Sequence, residues 1–154
     1  MIKIIPLSKE YLDEAISLVE KIFPYKQDQK IARINLEESL TLKNFGQRYW
    51  VVAGNSGKLA GVTGLYLDAE DRDIVWLGWF GVHPEYRRQG IGSLLLEFTL
   101  KEAIRRDYKI MKIYTSTDKN ERAAHKLYMA YGFIKLNFDT NTEDVCYIKN
   151  LAED

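Results

Sequence analysis

Between residues 74 and 96 the chain passes from nine residues that are all apolar or glycine, IVWLGWFGV, through a proline and a basic loop into a second apolar run. A strand apolar on both faces is satisfied in the interior of a sheet that is covered on each side. Pro84 ends the strand, and Gly90 to Asp107 then reads as a helix apolar on most of its circumference, so it should lie buried against that sheet. The pairing of these two segments demands a layered α/β structure.

The flanking sequence supplies the other layers. IKIIPL (2–7) reads as a short strand ending near Pro6. Ser8 can cap the helix that follows, in which Leu12, Ala15, Ile16, Val19, Ile22 and Phe23 recur at helical spacing until Pro24 stops it. Residues 28–42 are helical with a weaker pattern, because Ile31, Ile34, Leu36 and Leu40 do not line one stripe. RYWVVAG (48–54) and KLAGVTGLYLD (58–68) form a hairpin around residues 55–58, and the acidic loop AEDRD leads into the central strand. KIMKIYTST (109–117) is a strand. Asp118 with Glu121 resembles a capping box opening a helix in which Ala124, Leu127, Tyr128 and Tyr131 share a face, ended by Gly132. FIKLNFDT and DVCYIKNL close the chain as a hairpin around Asn141-Thr142. The expected order is β-α-α-β-β-β-α-β-α-β-β, a single α/β (α+β) domain over residues 1–154 with a mixed, mostly antiparallel sheet flanked by helices. A chain of 154 residues has room for one such core.

Composition removes several function classes. Hydrophobic residues are 46% and charged residues 29%, which excludes wholesale disorder. One cysteine, Cys146, leaves no internal disulfide and no cysteine-rich zinc site, and two histidines 42 residues apart lack ligand spacing, so no metal is expected. Cys146 in an apolar strand reads as a small buried hydrophobe. The opening MIKIIPLSKEYLDEA turns acidic too soon for a signal peptide, and no run of about 18 apolar residues follows, so a cytoplasmic protein without a membrane partner is expected. The 22 basic and 22 acidic residues balance, which argues against a nucleic-acid partner. Beneath that balance, Arg87 to Lys126 carries a net +5 and the remainder −5. The basic stretch suits an anionic ligand and the acidic remainder a cationic one, with ordinary solvated faces as the alternative.

Chemistry concentrates in VHPEYRRQGIGS (82–93). A helix N-terminus leaves four N–H groups unpaired and carries about half a positive charge, which makes an anion site. Gly90 and Gly92 let a phosphate approach the backbone, and Arg87 and Arg88 add charge that can fork onto its oxygens. The spacing is neither that of a mononucleotide loop nor of a dinucleotide fold, and GNSGK (54–58) sits in a hairpin turn.

The run VHPEYRRQGIGSLLL resembles the acyl-CoA-binding segment of the GNAT family of N-acetyltransferases, whose Gln/Arg-x-x-Gly-x-Gly/Ala core is filled here by Arg87, Gly90 and Gly92. AAHKLYMAYGF (123–133) is similar to the family's later helix-and-strand segment, with Tyr128 four residues before Gly132-Phe133. The resemblance implies an acetyl-CoA-dependent enzyme that acetylates a primary amine directly. Pantetheine would bond the backbone of Phe80, Gly81 and Val82, and pyrophosphate the amides of Arg88, Gln89, Gly90, Ile91, Gly92 and Ser93. Tyr128 would hydrogen-bond and protonate the departing thiolate; a phenol of pKa near 10 is protonated at pH 7. A non-catalytic acyl-CoA sensor with the same fold is the second class.

Two positions depart from the family pattern. The pantetheine-contacting asparagine often found seven residues before the tyrosine is replaced by Glu121, with Asn120 adjacent, so either Asn120 takes over the contact or the contact is absent, and Glu121 has a sufficient reading as the capping acid. No carboxylate lies on Trp76-Leu77-Gly78-Trp79-Phe80 or on Ile113-Tyr114-Thr115-Ser116 to serve as base. A lysine-like amine costs about 4.6 kcal/mol to deprotonate at pH 7; Asp73, His83 and an ordered water are the candidates to take that proton. His125 reads as structural. Phe23, Tyr25, Glu37, Glu38, Asp139, Glu143 and Asp144, with Trp76 and Trp79, suggest an acceptor that is a cation with apolar surface: an amine-bearing small molecule or a protein amino group. A homodimer is the candidate assembly.

Overall fold

A computed structural model describes residues 2–41, 46–54, 56–116, 121–136 and 144–152. Strand β1 (Lys3–Pro6) leads into helices α1 (Lys9–Ile22) and α2 (Lys26–Thr41), and these are followed by strands β2 (Gln47–Ala53) and β3 (Leu59–Leu67). Next come β4 (Ile74–Leu77), β5 (Gly81–Val82), a single 3₁₀ turn (Pro84–Tyr86) and α3 (Ile91–Arg105). The chain ends with β6 (Ile110–Ser116), α4 (Arg122–Ala130), β7 (Ile134–Leu136) and β8 (Asp144–Asn150). The sheet runs β1-β2-β3-β4-β6-β8-β7, with β5 paired to β3 beside this path. The pair β4–β6 is parallel and the others are antiparallel. A parallel pair needs a long crossover; α3 supplies it.

Helices cover the two faces of the sheet. Ala15, Ile16, Leu18 and Val19 of α1 meet Val51 and Val62 on one side, together with Ala32 and Leu36 of α2. The weak pattern of α2 resolves into a stripe of Ala32, Leu36 and Ser39, while Ile31 and Ile34 are exposed. On the other side Leu96, Leu100 and Ala103 of α3 pack on Leu65, Val75, Met111 and Ile113, with Tyr128 and Phe133 beside them. α3 is one-sided: Leu94 and Ile104 are exposed, so its apolar surface exceeds what the sheet covers. Thr99 donates to the Leu95 carbonyl at 2.7 Å, so Thr63 must donate the 2.6 Å bond between the two hydroxyls. That bond fastens α3 to β3 inside the core.

The strand expected at 74–82 is broken. β3 pairs Leu65 with Leu77 and Val62 with Gly81, so three residues (78–80) oppose two (63–64). One extra residue in an antiparallel ladder is a bulge, and it bends the strand. The ring of Tyr49 lies across this point: a Cβ on Gly64 would fall 2.3 Å from Tyr49 Cδ1, and one on Gly78 3.0 Å from Cε1. Close approach therefore requires glycine at 64 and leaves little room for a side chain at 78. The 74–82 segment is half-buried except at Val75 and Leu77, in place of burial throughout.

Helix ends differ from the sequence expectation in two places. Ser8 occupies the N-cap of α1 without a side-chain cap bond. Glu121 is not the third residue of a capping box but the N-cap of α4, and its carboxylate turns back to Ser116 at the end of β6. Asp118 and the final turn at Asn141-Thr142 lie outside the described residues.

Replacing Gly64 by alanine forces the Tyr49 ring off the sheet. Overpacking of this kind typically costs about 1–3 kcal/mol, and a domain of this size loses about 2–4 °C per kcal/mol. Thermal unfolding of Gly64→Ala should show a midpoint several degrees lower, and an unchanged midpoint would contradict the close contact.

Candidate active site

The bulge opens the sheet. Pairing between β4 and β6 stops at Trp76–Lys112, yet β6 continues to Ser116 on β8, and β5 pairs with β3 alone. Among the described residues the backbone of Phe80, Gly81 and Val82 thus faces away from β3 without a strand beside it. All three residues are half-buried. The Val82 carbonyl already accepts from Arg87 Nε at 3.1 Å, so Arg87 ties the loop to the strand while its terminal nitrogens stay available.

After β5, His83 caps the 3₁₀ turn by accepting the Glu85 N–H on Nδ1 at 3.0 Å. Arg88 and Gly90 both take the left-handed conformation, at φ 66° and 79°. An arginine held there stores about 1–3 kcal/mol of backbone strain, a feature that clusters at binding sites. Gly90 is the N-cap of α3 and has nothing within 4 Å of where a Cβ would sit. Its requirement is thus conformational, and the space beside it is open to a ligand. The first bond of α3 runs from the Leu94 N–H to the Gly90 carbonyl. The amides of Gly90, Ile91, Gly92 and Ser93 consequently have no partner within the helix and point out of its N-terminus. The structure brings Arg87, Arg88, Gln89, Gly90, Ile91, Gly92 and Ser93 together at one end of the strand gap, with Arg87 to Gly90 exposed.

Tyr128 stands on the other wall. It is 4% exposed, and its ring is packed by Phe80 and Phe133 at 6.0 Å and by Tyr147 at 5.6 Å. Its hydroxyl makes no hydrogen bond among the described residues, and no fully buried side-chain oxygen or nitrogen there lacks a partner. The hydroxyl therefore reaches accessible surface at the edge of the core. Burial, and then the nearby Glu121 and Tyr147, push this phenol well above its ordinary value. It is a protonated donor throughout the neutral range.

A hydrogen-bonded chain holds that wall in place. Glu121 Oε2 accepts from the Ser116 amide at 3.1 Å and from the Ser116 hydroxyl by a shorter bond. The Ser116 carbonyl accepts from His125 Nε2 at 2.8 Å, and His125 Nδ1 lies 2.7 Å from the Tyr147 hydroxyl. A carbonyl only accepts, so Nε2 carries the proton and, in the neutral ring, Nδ1 accepts from Tyr147. His125 is structural, as its sequence position suggests. The link of Glu121 to Ser116 was not visible in the sequence, where the glutamate had a sufficient role as a cap. Asn120 lies outside the described residues.

Other candidates are placed away from the gap or are already engaged. Asp73 is exposed at the far end of β4, where its carbonyl accepts the amides of Lys109 and Ile110. Trp76 donates to Asp68 at 2.8 Å and stacks on Tyr66, with Lys112 Nζ 5.6 Å from its ring centroid. Trp79 meets Phe23 edge-on at 4.9 Å beside the bulge. Glu37 and Glu38 are exposed on α2, and Asp144 bonds the Tyr114 hydroxyl. Asp139 and Glu143 lie outside the described residues. Among the described residues no group of three or more His, Cys, Asp or Glu side chains is arranged to hold a metal, and no helix is long and apolar enough to cross a membrane.

The sequence model of the acetyltransferase (GNAT) family matches residues 12–133. No curated protein matches the chain. Among solved structures, a GNAT-family acetyltransferase structure from Desulfovibrio desulfuricans superposes with a TM-score of 0.88 at 15% identity, covering 99% of this chain and 100% of its own. The PaiA N-acetyltransferase of Thermoplasma acidophilum, solved in complex with coenzyme A, gives 0.76 at 18% identity over 97% and 99%. The ribosomal-protein-S18-alanine N-acetyltransferase of Escherichia coli gives 0.71 at 22% identity over 96% and 91%. At these identities the structures are alike in fold.

The burial of Tyr128 has a spectroscopic consequence. In an alkaline ultraviolet titration of the folded protein, Tyr128→Phe should remove one phenol from those ionising late and none from those ionising near pH 10. Loss of a phenol from the early group would contradict the buried placement.

Proposed function

The chain belongs to the acetyltransferase (GNAT) family, and on that premise we propose that it carries an acetyl group from acetyl-CoA to a primary amine of a small molecule or of a protein. The observation that carries this reading is the joining of two features at one gap. Unpaired amides stand at the start of α3, and a buried phenol whose hydroxyl has no partner among the described residues stands across the parted strands.

Each residue has a physical task in this reaction. Pyrophosphate rests on the amides of Arg88, Gln89, Gly90, Ile91, Gly92 and Ser93, where the helix end and Arg87 and Arg88 offset its charge. Pantetheine lies along Phe80, Gly81 and Val82, completing the backbone bonds that β6 does not make, and Asn120 is its proposed side-chain contact. The uncharged amine nitrogen attacks the thioester carbonyl, the carbon–sulfur bond breaks, the leaving sulfur takes the Tyr128 proton, and the proton shed by the new amide nitrogen returns to the phenol through an ordered water. The burial that raises the phenol also raises the pKa of a thiolate forming beside it, so donor and acceptor remain matched.

Coenzyme A release across a panel of amines and alcohols tests the reaction directly. Release with amines supports it, and release with alcohols alone overturns it. Tyr128→Phe should lower kcat about 10²–10⁴-fold with a modest change in acetyl-CoA affinity; a wild-type kcat would return Tyr128 to a packing role. Gly90→Glu places a carboxylate where phosphate should sit; the left-handed backbone at Gly90 adds strain of about 1–2 kcal/mol, so folding of the variant is checked alongside binding. A folded Gly90→Glu protein should show no calorimetric binding of coenzyme A, and unchanged affinity would remove the loop from the site.

A further inference from the structure

Three rings close on one another beside the wedge. His125 and Tyr128 stand on α4, and Tyr147 comes from β8, where it lies opposite Ile113 of β6. The ring centroids are 5.3 Å apart for His125–Tyr147, 5.6 Å for Tyr128–Tyr147 and 6.3 Å for His125–Tyr128. Tyr147 is 2% exposed and Tyr128 4%. Packing of this kind holds a ring in place but aims it loosely, because dispersion has little direction and the outer torsion of a tyrosine is broad.

A directed tie runs through the cluster. The Tyr147 hydroxyl donates to His125 Nδ1 at 2.7 Å, and His125 Nε2 donates to the Ser116 carbonyl at 2.8 Å. The carbonyl can only accept, so in the neutral ring the order of donors is fixed from one end of the tie to the other. Ser116 is the last residue of β6, and its amide is held by Glu121 at the N-cap of α4. β6 is the strand that parts from β4 beyond Lys112. The tie thus sets the spacing of α4 from that wall of the wedge and orients the ring against which Tyr128 rests. A phenylalanine at 147 would fill nearly the same volume in the core but could not donate to the imidazole.

We propose that Tyr147 and His125 are positioning residues for acetyl transfer: the bonds from the Tyr147 hydroxyl through the imidazole to the Ser116 carbonyl set the direction in which Tyr128 presents its hydroxyl to the leaving sulfur. This inference rests on the acetyl-transfer reading above and adds how its proton donor is aimed.

The test is a double-mutant cycle, read with acetyl-CoA and the fastest acceptor of the amine panel. Tyr147→Phe keeps the ring and removes the donor. Its kcat should fall about tenfold, within the 10²-fold that a displacement of about 1 Å can cost, with little change in KM for acetyl-CoA. Made in a Tyr128→Phe background, the same change should cost nothing further, because no proton donor remains to be aimed. His125→Leu should resemble Tyr147→Phe, and His125→Gln, which keeps one donor and one acceptor, should recover most of the rate. A folded Tyr147→Phe protein with the wild-type kcat overturns the proposal. So does a loss that recurs undiminished without the Tyr128 hydroxyl, since a merely structural tie would act equally in both backgrounds. Failure of the underlying reading looks different: the wild type releases no coenzyme A with any amine, or Tyr128→Phe alone keeps the wild-type kcat, and this inference falls with it.

Discussion

One residue too many between β4 and β5 organises this molecule. Residues 78–80 oppose only two residues of β3, and the ladder on the other side cannot continue past Trp76–Lys112. A straight strand would have paired with β6 along its length and left a closed sheet. The bulge instead leaves a wedge whose walls are the backbone of 80–82 and the start of α4. Tyr49 lies across the bulge, over Gly64, where a side chain would collide with the ring, and over Gly78, where one would be tight. Fold and site are consequences of the same local geometry.

Around the wedge, charge is divided in a way the net total of zero conceals. The α3 end presents unpaired amides, Arg87 and Arg88, a setting for an anion. The acidic groups include Asp28 in the first turn of α2 and Glu121 at the start of α4, both half-buried. Tyr128 has its ring fixed by other rings on several sides. The chain from Glu121 through Ser116 and His125 to Tyr147 holds β6, α4 and β8 in register around it. A phenol so confined approaches a reacting group in one orientation, which is what a proton donor requires.

The sequence revealed the parts of this design that depend on neighbours in the chain. The element order followed from apolar periodicity, and the glycine loop announced itself because a basic Gly-x-Gly run opened an apolar helix. Tyr128 was found through the LY-x-x-x-GF segment, not from its burial. Parts formed across the fold stayed hidden. The bulge could not be read from IVWLGWFGV, because it is defined by the register against β3 and covered by Tyr49, nearly thirty residues earlier. Glu121 has a local role as a cap that conceals its bond to Ser116. The carboxylates that the sequence suggested for the acceptor, Glu37 and Glu38, stand exposed on α2.

The proposed binding surface joins the parted strands to the amides at the start of α3. Backbone amide shifts of the isotope-labelled protein, followed as coenzyme A is added, test it most directly. The largest changes should fall on residues 88–93 and 80–82, with smaller ones on α4 near Tyr128. Saturable binding whose shifts spare both segments and gather elsewhere on the sheet would contradict it.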